Sequence, residues 1–435
     1  MKLFHALATT KQTVALFATV VILEFALNIA RSAEFGQIRT FRPAQQVPLS
    51  WNKVNKHQKL NTCMIPLFRI IDKVVGSVLC ALLCIARFPT KPVSIPKKIL
   101  VIKLWAVGES ILTLPMIACL RKKYPKTDLT VLCRNRNKAV YEGKTDILLF
   151  EANELPKLLF KYNTFDVVID CEPYLNVSAL LGWWLGRRMI GFSHGLRSLL
   201  YTDKIKYNDH HHVVQTYAEM LAPIQCTPRM LEPLSHSTED ARLAEEVLKQ
   251  AGIKKEILVG MCQSVAESGK WRKWPSERYS ELADKLIEKF GVKIVLVGGK
   301  DTVENNELIR QKCKHMNSVM NLGGKTSLKQ LFALVKRFNL FISNDTGPMH
   351  IAAAQGVPTI GLFGPNLPAR FAPFGKGNIA LYEKTWCSPC INVHKGRFPE
   401  CFNAEKGLCM KQISVDNVFA AARQIFDSQN LKAKQ

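Results

Sequence analysis

An octapeptide in the carboxy-terminal half has the residue types that bind phosphate. It runs from Ser343 to His350 and follows an apolar run that has the pattern of a buried strand. Thr346, Gly347 and the amides that follow would present N–H groups at a helix N-terminus, where the helix dipole also favours negative charge. The segment is therefore a candidate diphosphate cradle. The alternative is structural, with Asp345 or Thr346 as a helix cap and His350 as a hydrogen-bonded partner of the turn.

A second candidate segment lies after the first strand-like run of the same half. Gln263 and Ser264 are followed by a basic stretch, Lys270 to Pro275, that contains two tryptophans. A hydroxyl and a fixed cation suit a sugar diphosphate, because its leaving group gains negative charge in the transition state. Ordinary surface charge with Trp274 packed beneath it is the structural alternative.

A third candidate segment lies in the amino-terminal half and contains a carboxylate. In the turn from Trp105 to Pro115, Gly108 permits a tight bend and Ser110 can serve as a helix cap. Glu109 stands near the helix start, where the dipole favours a carboxylate. We expect Glu109 to point into a binding cleft. Otherwise it is a first-turn helix charge without a chemical role.

Two series of short β-rich runs position these segments. In each series the runs alternate with amphipathic helices, which is the pattern of parallel βα units. The first series has runs at 99–104, 129–132 and 165–170, a helix over 110–123, and an end near Gly191. The second has runs at 257–261, 292–297, 340–343 and 358–363 and a helix over 276–290. Since ligands bind outside the carboxyl ends of such strands, the sequence predicts two doubly wound sheets whose loops line a cleft.

The net charge narrows the classes of partner. Lys and Arg number 60 against 35 Asp and Glu, which gives a formal net charge of +25 and favours polyanionic partners. The basic residues are dispersed, and the sequence has no helix-turn-helix, RNP or zinc-finger spacing, so we predict no nucleic-acid partner. Acidic membrane surfaces and sugar phosphates remain.

The first 97 residues precede the α/β series. Residues 13–30 form an apolar stretch of nearly membrane-spanning length, interrupted by Glu24 and Asn28. Lys and Arg concentrate after this stretch, which by the positive-inside tendency places the body of the protein in the cytoplasm. A cleaved secretory signal is the competing interpretation. A second apolar stretch, residues 74–86, is too short to span and either lies in the headgroup layer or packs on the globular body.

Most of the 13 cysteines lie in the main body, and many occupy apolar runs such as residues 78–84. Buried thiols of this kind behave as small hydrophobes, so we expect the main body to be reduced and intracellular.

Taken together, these motifs resemble glycosyltransferase family 9, the heptosyltransferases of lipopolysaccharide core assembly. The likeness covers about residues 98–425. Its elements are a G-D-x-L-x-x-x-P turn, here Gly108 to Pro115; a K-x-W-P segment, here Arg272 to Pro275; and S-N-D-T-G-P-x-H, here Ser343 to His350. Gly356-Val357-Pro358, Phe363-Gly364-Pro365 and a C-x-x-C stretch follow in family order.

The resemblance implies a GT-B fold, an α/β architecture of two Rossmann-like domains whose parallel sheets face a cleft. In this chain it implies a hydrophobic extension at residues 1–97, an acceptor domain at 98–235 and a nucleotide-sugar donor domain at 236–435. It further implies an inverting transfer of heptose from ADP-heptose, with no required metal or cofactor. The acceptor is lipopolysaccharide core or a related glycolipid at the cytoplasmic face of the bacterial inner membrane.

The resemblance also implies roles for individual residues. Glu109 takes the place of the general base, where the family usually has Asp, so the carboxylate arm is one methylene longer. The implied donor contacts begin with the amides of Thr346, Gly347 and Met349, which bind the diphosphate, with His350 in the same turn. Asp345 lies near the sugar, and Glu304 contacts the ribose. Ser264, Arg272 and Lys273 contact the phosphates.

Four cysteines form a separate pattern, Cys387-x2-Cys390-x10-Cys401-x7-Cys409. Four thiols can hold zinc tetrahedrally, but the second pair lacks the close spacing of a zinc ribbon. Free thiols or a role in an acceptor loop account for the pattern equally well. We predict no metal.

Two further hypotheses stay open. The first keeps the fold and the chemistry but changes the donor to another nucleotide sugar. The second is an inactive nucleotide-sugar-binding scaffold, which glutamate in place of aspartate at position 109 favours.

Overall fold

The computed structural model describes residues 68–86, 95–227 and 231–431. The predictions on residues 13–30, whether anchor or signal, lie outside these ranges. Within them, no helix combines the length and the apolar character needed to cross a bilayer.

The first sheet has six parallel strands in the order β3-β2-β1-β4-β5-β6. Their bounds are β1 Lys98–Ile102, β2 Asp128–Cys133, β3 Asp146–Leu149, β4 Phe165–Asp170, β5 Gly186–Phe192 and β6 Asp203–Ile205. The central strands are buried on both faces and rich in Val, Ile and Leu, which is typical of a parallel sheet covered by helices.

The helices of this part of the chain differ widely in length. Their bounds are α1 Ser77–Leu83, α2 Val107–Leu112, α3 Leu114–Lys123, α4 Asn135–Lys138, α5 Leu155–Leu159, α6 Asn176–Leu185 and α7 Val213–Glu219, with 3₁₀ turns at Leu196–Leu200 and Ala222–Ile224. Residues 68–86 are helical throughout, since a π turn at Asp72–Gly76 leads into α1 and a 3₁₀ turn at Cys84–Ala86 follows it.

The second sheet repeats the same winding, in the order β12-β11-β10-β7-β8-β9. All its neighbouring strands are parallel. Their bounds are β7 Leu258–Cys262, β8 Lys293–Leu296, β9 Val319–Asn321, β10 Leu340–Asn344, β11 Thr359–Phe363 and β12 Ile379–Tyr382.

The helices of the second half carry clear start signals. Their bounds are α8 Thr238–Gln250, α9 Ser276–Phe290, α10 Val303–Lys312, α11 Leu328–Val335, α12 Gly347–Ala354, α13 Pro368–Phe371, α14 Leu408–Lys411 and α15 Val415–Ser428. Ser237 and Ser327 begin α8 and α11 with complete capping boxes. Further 3₁₀ turns lie at Glu267–Arg272, Lys300–Thr302, Met316–Ser318 and Val393–Lys395.

In both sheets the strand order reverses at the centre, between β1 and β4 and between β7 and β10. A parallel sheet offers its binding crevice at such a reversal. In the first sheet this crevice is occupied by the protein's own charges. Lys103 and Glu172 form a buried ion pair at 3.3 Å, and Glu172 also accepts the N–H of Leu104 at 2.6 Å. Asp170 pairs with the buried Arg197 at 2.6 Å.

Contacts between residues divide the described chain into two compact units. The first contains the residues up to Trp105 together with 124–138 and 145–207, and the second contains 106–123, 139–144 and the residues from Asn208 onward. Helices α2 and α3 therefore belong with the second sheet, although they follow β1 of the first. The boundary expected between residues 235 and 236 stays a prediction.

Two local predictions differ from the structure. The helix expected over 110–123 is two helices, α2 and α3, because Pro115 has no N–H to continue the hydrogen-bond ladder and its ring crowds the preceding turn. The first sheet also extends beyond Gly191, where the sequence indicated an end, to the short edge strand β6. Three residues are too few for a periodic signal.

The prediction of reduced thiols throughout the main body is wrong at one pair. Cys119 in α3 and Cys226 form a disulfide, whereas the other cysteines in the described residues are free thiols. Lys123 Nζ, at the end of α3, donates to the carbonyls of Ile224 at 2.6 Å and Gln225 at 2.8 Å. These contacts hold the two segments side by side, which brings the two sulfur atoms together.

Candidate active site

The site begins at the carboxyl ends of β7 and β10, the two strands at the reversal of the second sheet. Asn344, the last residue of β10, joins the two loops that follow. Its Nδ2 donates to the Gln263 carbonyl at 2.8 Å, and its Oδ1 accepts the N–H of Trp274 at 3.1 Å. Trp274 is fully buried, and its indole N–H donates to the Ile413 carbonyl at 2.9 Å. The tryptophan thus has the structural role of a packed support for the loop.

The cation two residues earlier has a different environment. Arg272 Nη1 donates to the backbone carbonyl of Asp345 at 3.0 Å and lies 3.3 Å from the Asp345 carboxylate. Asp345 also accepts from Asn366 Nδ2 at 2.9 Å. The Arg272 side chain is 19% exposed, and its Nε has no hydrogen-bond partner among the described residues. The guanidinium is therefore held in place with donor capacity remaining.

The octapeptide forms the predicted strand-to-helix turn, and α12 begins at Gly347. Thr346 is the N-cap residue with extended backbone, and its side chain makes no capping hydrogen bond. Pro348 has no N–H, while the N–H of Met349 donates to the Thr346 carbonyl at 3.1 Å. We therefore expect the amides of Thr346 and Gly347 to contact the diphosphate first, and a contact from the Met349 amide stays a prediction.

His350 lies in the first turn of α12 and is buried. Burial lowers the pKa of His350 to about 4, and the positive charge of Arg272 and the ring of His212 act in the same direction, whereas Asp345 opposes them. The ring is therefore neutral at pH 7. Its Nδ1 has no hydrogen-bond partner within the described residues, so at this atom the structural alternative, in which His350 is a hydrogen-bonded partner of the turn, does not apply.

Helix α2 packs its amino-terminal end against that of α12. A Cβ atom on Gly108 would lie 2.6 Å from His350 Cδ2 and 3.4 Å from Gly347 Cα, so only glycine fits at position 108. Glu109 is the next residue, in the first turn of α2, and its side chain is half-buried. This contact places the candidate base one residue from the point where the two helix starts meet.

The other predicted donor contacts lie on the loops that follow β7 and β8. Ser264 is half-buried, and its Oγ lies 3.1 Å from Cys262 Sγ. Lys273 is adjacent to Arg272, and partial burial lowers the pKa of its ammonium. Glu304 is exposed in the first turn of α10, after the neighbouring strand β8. The contacts of the described residues join Arg272 and Asp345 but do not join Glu304 to them.

Three residues at this site were not identified from the sequence. Asn344 joins the loops, Asn366 positions Asp345, and His212 caps α7 while its Nε2 meets the Ala372 carbonyl at 2.9 Å. Burial lowers the pKa of His212. Asn366 directly follows the Phe363-Gly364-Pro365 motif. Its place in the loop after a predicted buried strand was therefore the one feature of the sequence that could have identified it.

The four patterned cysteines lie beside Trp271 and Pro365, the chain neighbours of Arg272 and Asn366. Cys387, Cys390, Cys401 and Cys409 line one small cavity together with Trp271 and Phe402. Burial raises the pKa of Cys409 to about 11, and it also raises that of Cys390. Within the described ranges, no group of three or more His, Cys, Asp or Glu side chains is arranged to hold a metal ion.

The chain is similar to proteins of known family. Residues 157–397, more than half of the 435, match the family model described as glycosyltransferase family 9 (heptosyltransferase). A curated relative, the lipopolysaccharide core heptosyltransferase OpsX of Haemophilus influenzae, is 27% identical over 309 residues, which are 66% of this chain and 86% of the relative.

Solved structures share the fold. A glycosyl transferase family 9 protein from Veillonella parvula superposes with a TM-score of 0.65 at 24% identity, covering 78% of this chain and 100% of that one. The ADP-heptose lps heptosyltransferase II of E. coli gives a TM-score of 0.61 at 21% identity, covering 77% of this chain and 99% of the other. The predicted fold class, two Rossmann-like halves of GT-B type, is confirmed.

Proposed function

The chain belongs to glycosyltransferase family 9, and from this membership we propose that it transfers heptose from ADP-heptose to a lipopolysaccharide core acceptor, with inversion at the anomeric carbon. The enzyme class follows from the family, whose members are heptosyltransferases. The donor and the acceptor are the proposed parts. The observation that carries the proposal is the packing of Gly108 against His350 and Gly347, which sets Glu109 beside the start of α12.

The donor diphosphate is proposed to bind at the start of α12. The helix dipole and the amides of Thr346 and Gly347 attract its negative charge. Arg272 is held by Asp345 and supplies a fixed cation, which stabilises the charge that grows on the leaving diphosphate. Ser264 and Lys273 add donors from the same loop. Glu304 is proposed to accept from the ribose hydroxyls.

Glu109 is proposed to act as the general base. The acceptor hydroxyl oxygen attacks the anomeric carbon, and its proton passes to the Glu109 carboxylate. The bond from that carbon to the diphosphate oxygen breaks, and its electron pair leaves with ADP. Each of these steps is a proton transfer or a displacement at the anomeric carbon. Because the buried His350 ring is neutral at pH 7, it adds no positive charge to that of Arg272 at the start of α12.

The chemistry of the acceptor determines where the enzyme works. A lipopolysaccharide core is carried on a lipid, so we propose that the enzyme acts at the cytoplasmic face of the bacterial inner membrane. The formal net charge of +25 supports this placement, because anionic lipids concentrate a basic protein at their surface.

The test is a donor panel with a membrane extract as acceptor. The purified chain is incubated with ADP-heptose, UDP-glucose or GDP-mannose, and both nucleotide release and sugar incorporation into lipid are measured. We expect ADP release that depends on the extract, with heptose in the lipid fraction. Turnover of UDP-glucose or GDP-mannose alone would refute the donor assignment. Donor binding without turnover of any sugar would favour a scaffold.

A further inference from the structure

The helix at residues 68–86 has an inner face that is fixed to the first unit by specific contacts. The Asp72 carboxylate accepts the N–H groups of Asn176 at 2.9 Å and Val177 at 2.8 Å, and so caps the start of α6. A Cβ on Gly76 would lie 2.6 Å from Asn176 Cβ, so the two backbones pack closely. Cys80 is fully buried further along the same face. The rotation of this helix about its axis is therefore fixed.

The opposite face of the same helix is apolar and exposed. Apart from the adjacent pair Val74 and Val75, its residues recur at intervals of three and four, which places them on one side of the helix. Their exposed fractions range from 38% for Val75 to 84% for Ile85. The members of this outer stripe are Ile70, Val74, Val75, Val78, Leu82 and Ile85.

A second element extends the outer stripe. The 3₁₀ turn Leu196–Leu200 contacts α1, and its Leu196 and Leu199 side chains are also exposed. Between them, Arg197 points inward to its ion pair with Asp170. Two separate elements thus bury their polar groups and expose their aliphatic ones in the same region, which is the reverse of an ordinary protein surface.

The charges around the stripe indicate the partner. Over residues 51–98 the sequence has Lys or Arg at positions 53, 56, 59, 69, 73, 87, 91, 97 and 98, and its one acidic residue is Asp72. Because Asp72 is buried as the cap of α6, it adds no negative charge to the outer surface. An exposed apolar stripe, in a stretch of sequence whose other charges are all basic, is typical of a helix that lies in an anionic lipid headgroup layer.

We propose that the outer stripe docks on the surface of an anionic lipid bilayer, with the aliphatic side chains entering the acyl boundary and the exposed Lys73 of the same helix contacting the headgroups. The helix lies parallel to the membrane plane, since its inner face remains attached to α6. This inference does not depend on the proposed heptosyl transfer, because it rests on residues outside the catalytic site.

The direct test places a photoreactive benzophenone side chain at position 82 of the full chain. The matched control carries it at position 308, because Leu82 and Leu308 are both helical leucines, exposed by 60% and 54%. Each protein is irradiated with phosphatidylcholine vesicles that contain or lack phosphatidylglycerol, and the adducts are identified by mass spectrometry. We expect lipid adducts at position 82, more of them with phosphatidylglycerol, and none at position 308.

Every other result contradicts the proposal. An adduct from position 82 to a second copy would make the stripe a chain–chain interface, and an adduct to another segment of the same chain would mean that this segment covers it. No adduct, or equal lipid adducts at both positions, would exclude specific docking. Donor binding and turnover are measured separately, so a failure of the catalytic proposal is distinguishable.

A partition measurement adds the energetic side. Leu82→Glu removes an aliphatic group from the stripe and introduces a negative charge, so we expect vesicle binding of the full chain to weaken about tenfold. Leu308→Glu makes the same chemical change in α10 and should leave vesicle binding within about twofold of the unmodified chain. Equal losses in the two variants would show that only net charge matters and would overturn the docking surface.

Discussion

The two sheets have the same strand order, yet their central crevices differ in chemistry. At the first, Lys103 and Glu172 pair with side chains that are 0% and 2% exposed, and Glu172 also accepts backbone N–H groups. At the second, Arg272 and Asp345 pair with side chains that are 19% and 5% exposed. The Lys103–Glu172 pair of the first crevice is closed off from solvent, whereas the Arg272 guanidinium of the second is partly exposed and has an unused donor, Nε, beside a helix start.

This difference shows that topology alone does not identify a binding site. A parallel sheet creates a crevice wherever its strand order reverses, but at the first reversal Lys103 and Glu172 pair with each other in the protein interior. The two crevices are nevertheless linked through the chain. The turn after β1 leads directly into α2, which packs on α12 and carries Glu109. We therefore expect substitutions at the second crevice and on α2 to affect turnover, and those at the first crevice to affect stability.

The largest effect is expected for Glu109→Gln, which keeps the size of the side chain but removes the base. We expect kcat to fall about 10⁴-fold, near the upper limit for general-base catalysis, while the Kd of ADP, the nucleotide part of the donor, changes less than about twofold. ADP release and isothermal titration with ADP measure the two quantities. Glu109→Asp keeps the carboxylate and should retain more activity than Glu109→Gln.

A matched control is Glu277→Gln, since Glu277 is also a first-turn glutamate, in α9. It should leave kcat unchanged. Full activity of Glu109→Gln would exclude the base assignment and, with it, the catalytic importance of the α2–α12 contact.

At the first crevice, Glu172→Gln tests the structural role. Lys103 would then keep a buried ammonium without its partner, which costs about 3–5 kcal/mol. We expect chemical denaturation to show a loss of this size, with kcat of the remaining folded protein nearly unchanged. Glu154→Gln breaks the more exposed pair with Lys157 and should cost less than about 1 kcal/mol. A large fall in kcat without loss of stability would move the chemistry to the first crevice.

Arg272→Gln removes the cation of the second crevice. We expect kcat/KM to fall about 100-fold, equivalent to about 2.7 kcal/mol of transition-state stabilisation. Steady-state kinetics over a range of ADP-heptose concentrations gives the value. Arg242→Gln, on the exposed face of α8, should have no effect on kinetics. If both variants behaved alike, Arg272 would be ordinary surface charge.

The sequence was informative where one segment carries its own signal. The buried strands β1, β4, β7, β10 and β11 are apolar runs, and the turn at Thr346 and Gly347 contains both its donors and its helix start. For these elements, the local composition and the spacing of hydrophobic residues determine the secondary structure. Glu109 could be selected for the same reason, because it adjoins a turn glycine.

Long-range contacts were not predictable from such signals. The bond between Asn366 and Asp345 joins two loops, and the disulfide joins residues 107 positions apart. The short edge strands β6 and β9 have three residues each, too few to show alternation. The burial of Lys103 was also not predictable, because its partner Glu172 lies 69 residues further along the chain, in the loop after β4.

Protonation of His350 provides a pH test of the second crevice. Its folded-state pKa of about 4 lies below the unfolded value of about 6.5, so the unfolded chain binds the proton more readily. The contribution of neutral His350 to the free energy of unfolding is complete above the unfolded-state pKa, and it is lost as the pH falls towards the folded-state pKa. At pH 5 the loss is about 2 kcal/mol.

Urea unfolding at pH 7.5 and pH 5 measures this linkage. In His350→Gln the difference between the two pH values should be smaller by about 2 kcal/mol, whereas His315→Gln, at an exposed position, should behave as the unmodified chain does. An unchanged pH dependence in His350→Gln would mean that His350 is not held neutral by burial.

The smallest effect concerns Ala106, the residue that connects the first crevice to α2. Its backbone has φ 62° and ψ 114°, a conformation that costs a residue with a Cβ about 1–3 kcal/mol. Ala106→Gly should remove this strain and, after the entropy cost of glycine of about 0.5–1 kcal/mol, raise the free energy of unfolding by about 1 kcal/mol. Thermal and urea unfolding measure the gain, and Ala241→Gly, in the helix α8, should instead destabilise by about 1 kcal/mol.

If the strained turn serves to hold Glu109 against the start of α12, the more stable Ala106→Gly variant should also show a lower kcat with an unchanged Kd for ADP. A gain in stability with full kcat would mean that the strain is a consequence of the chain path and has no part in positioning the base.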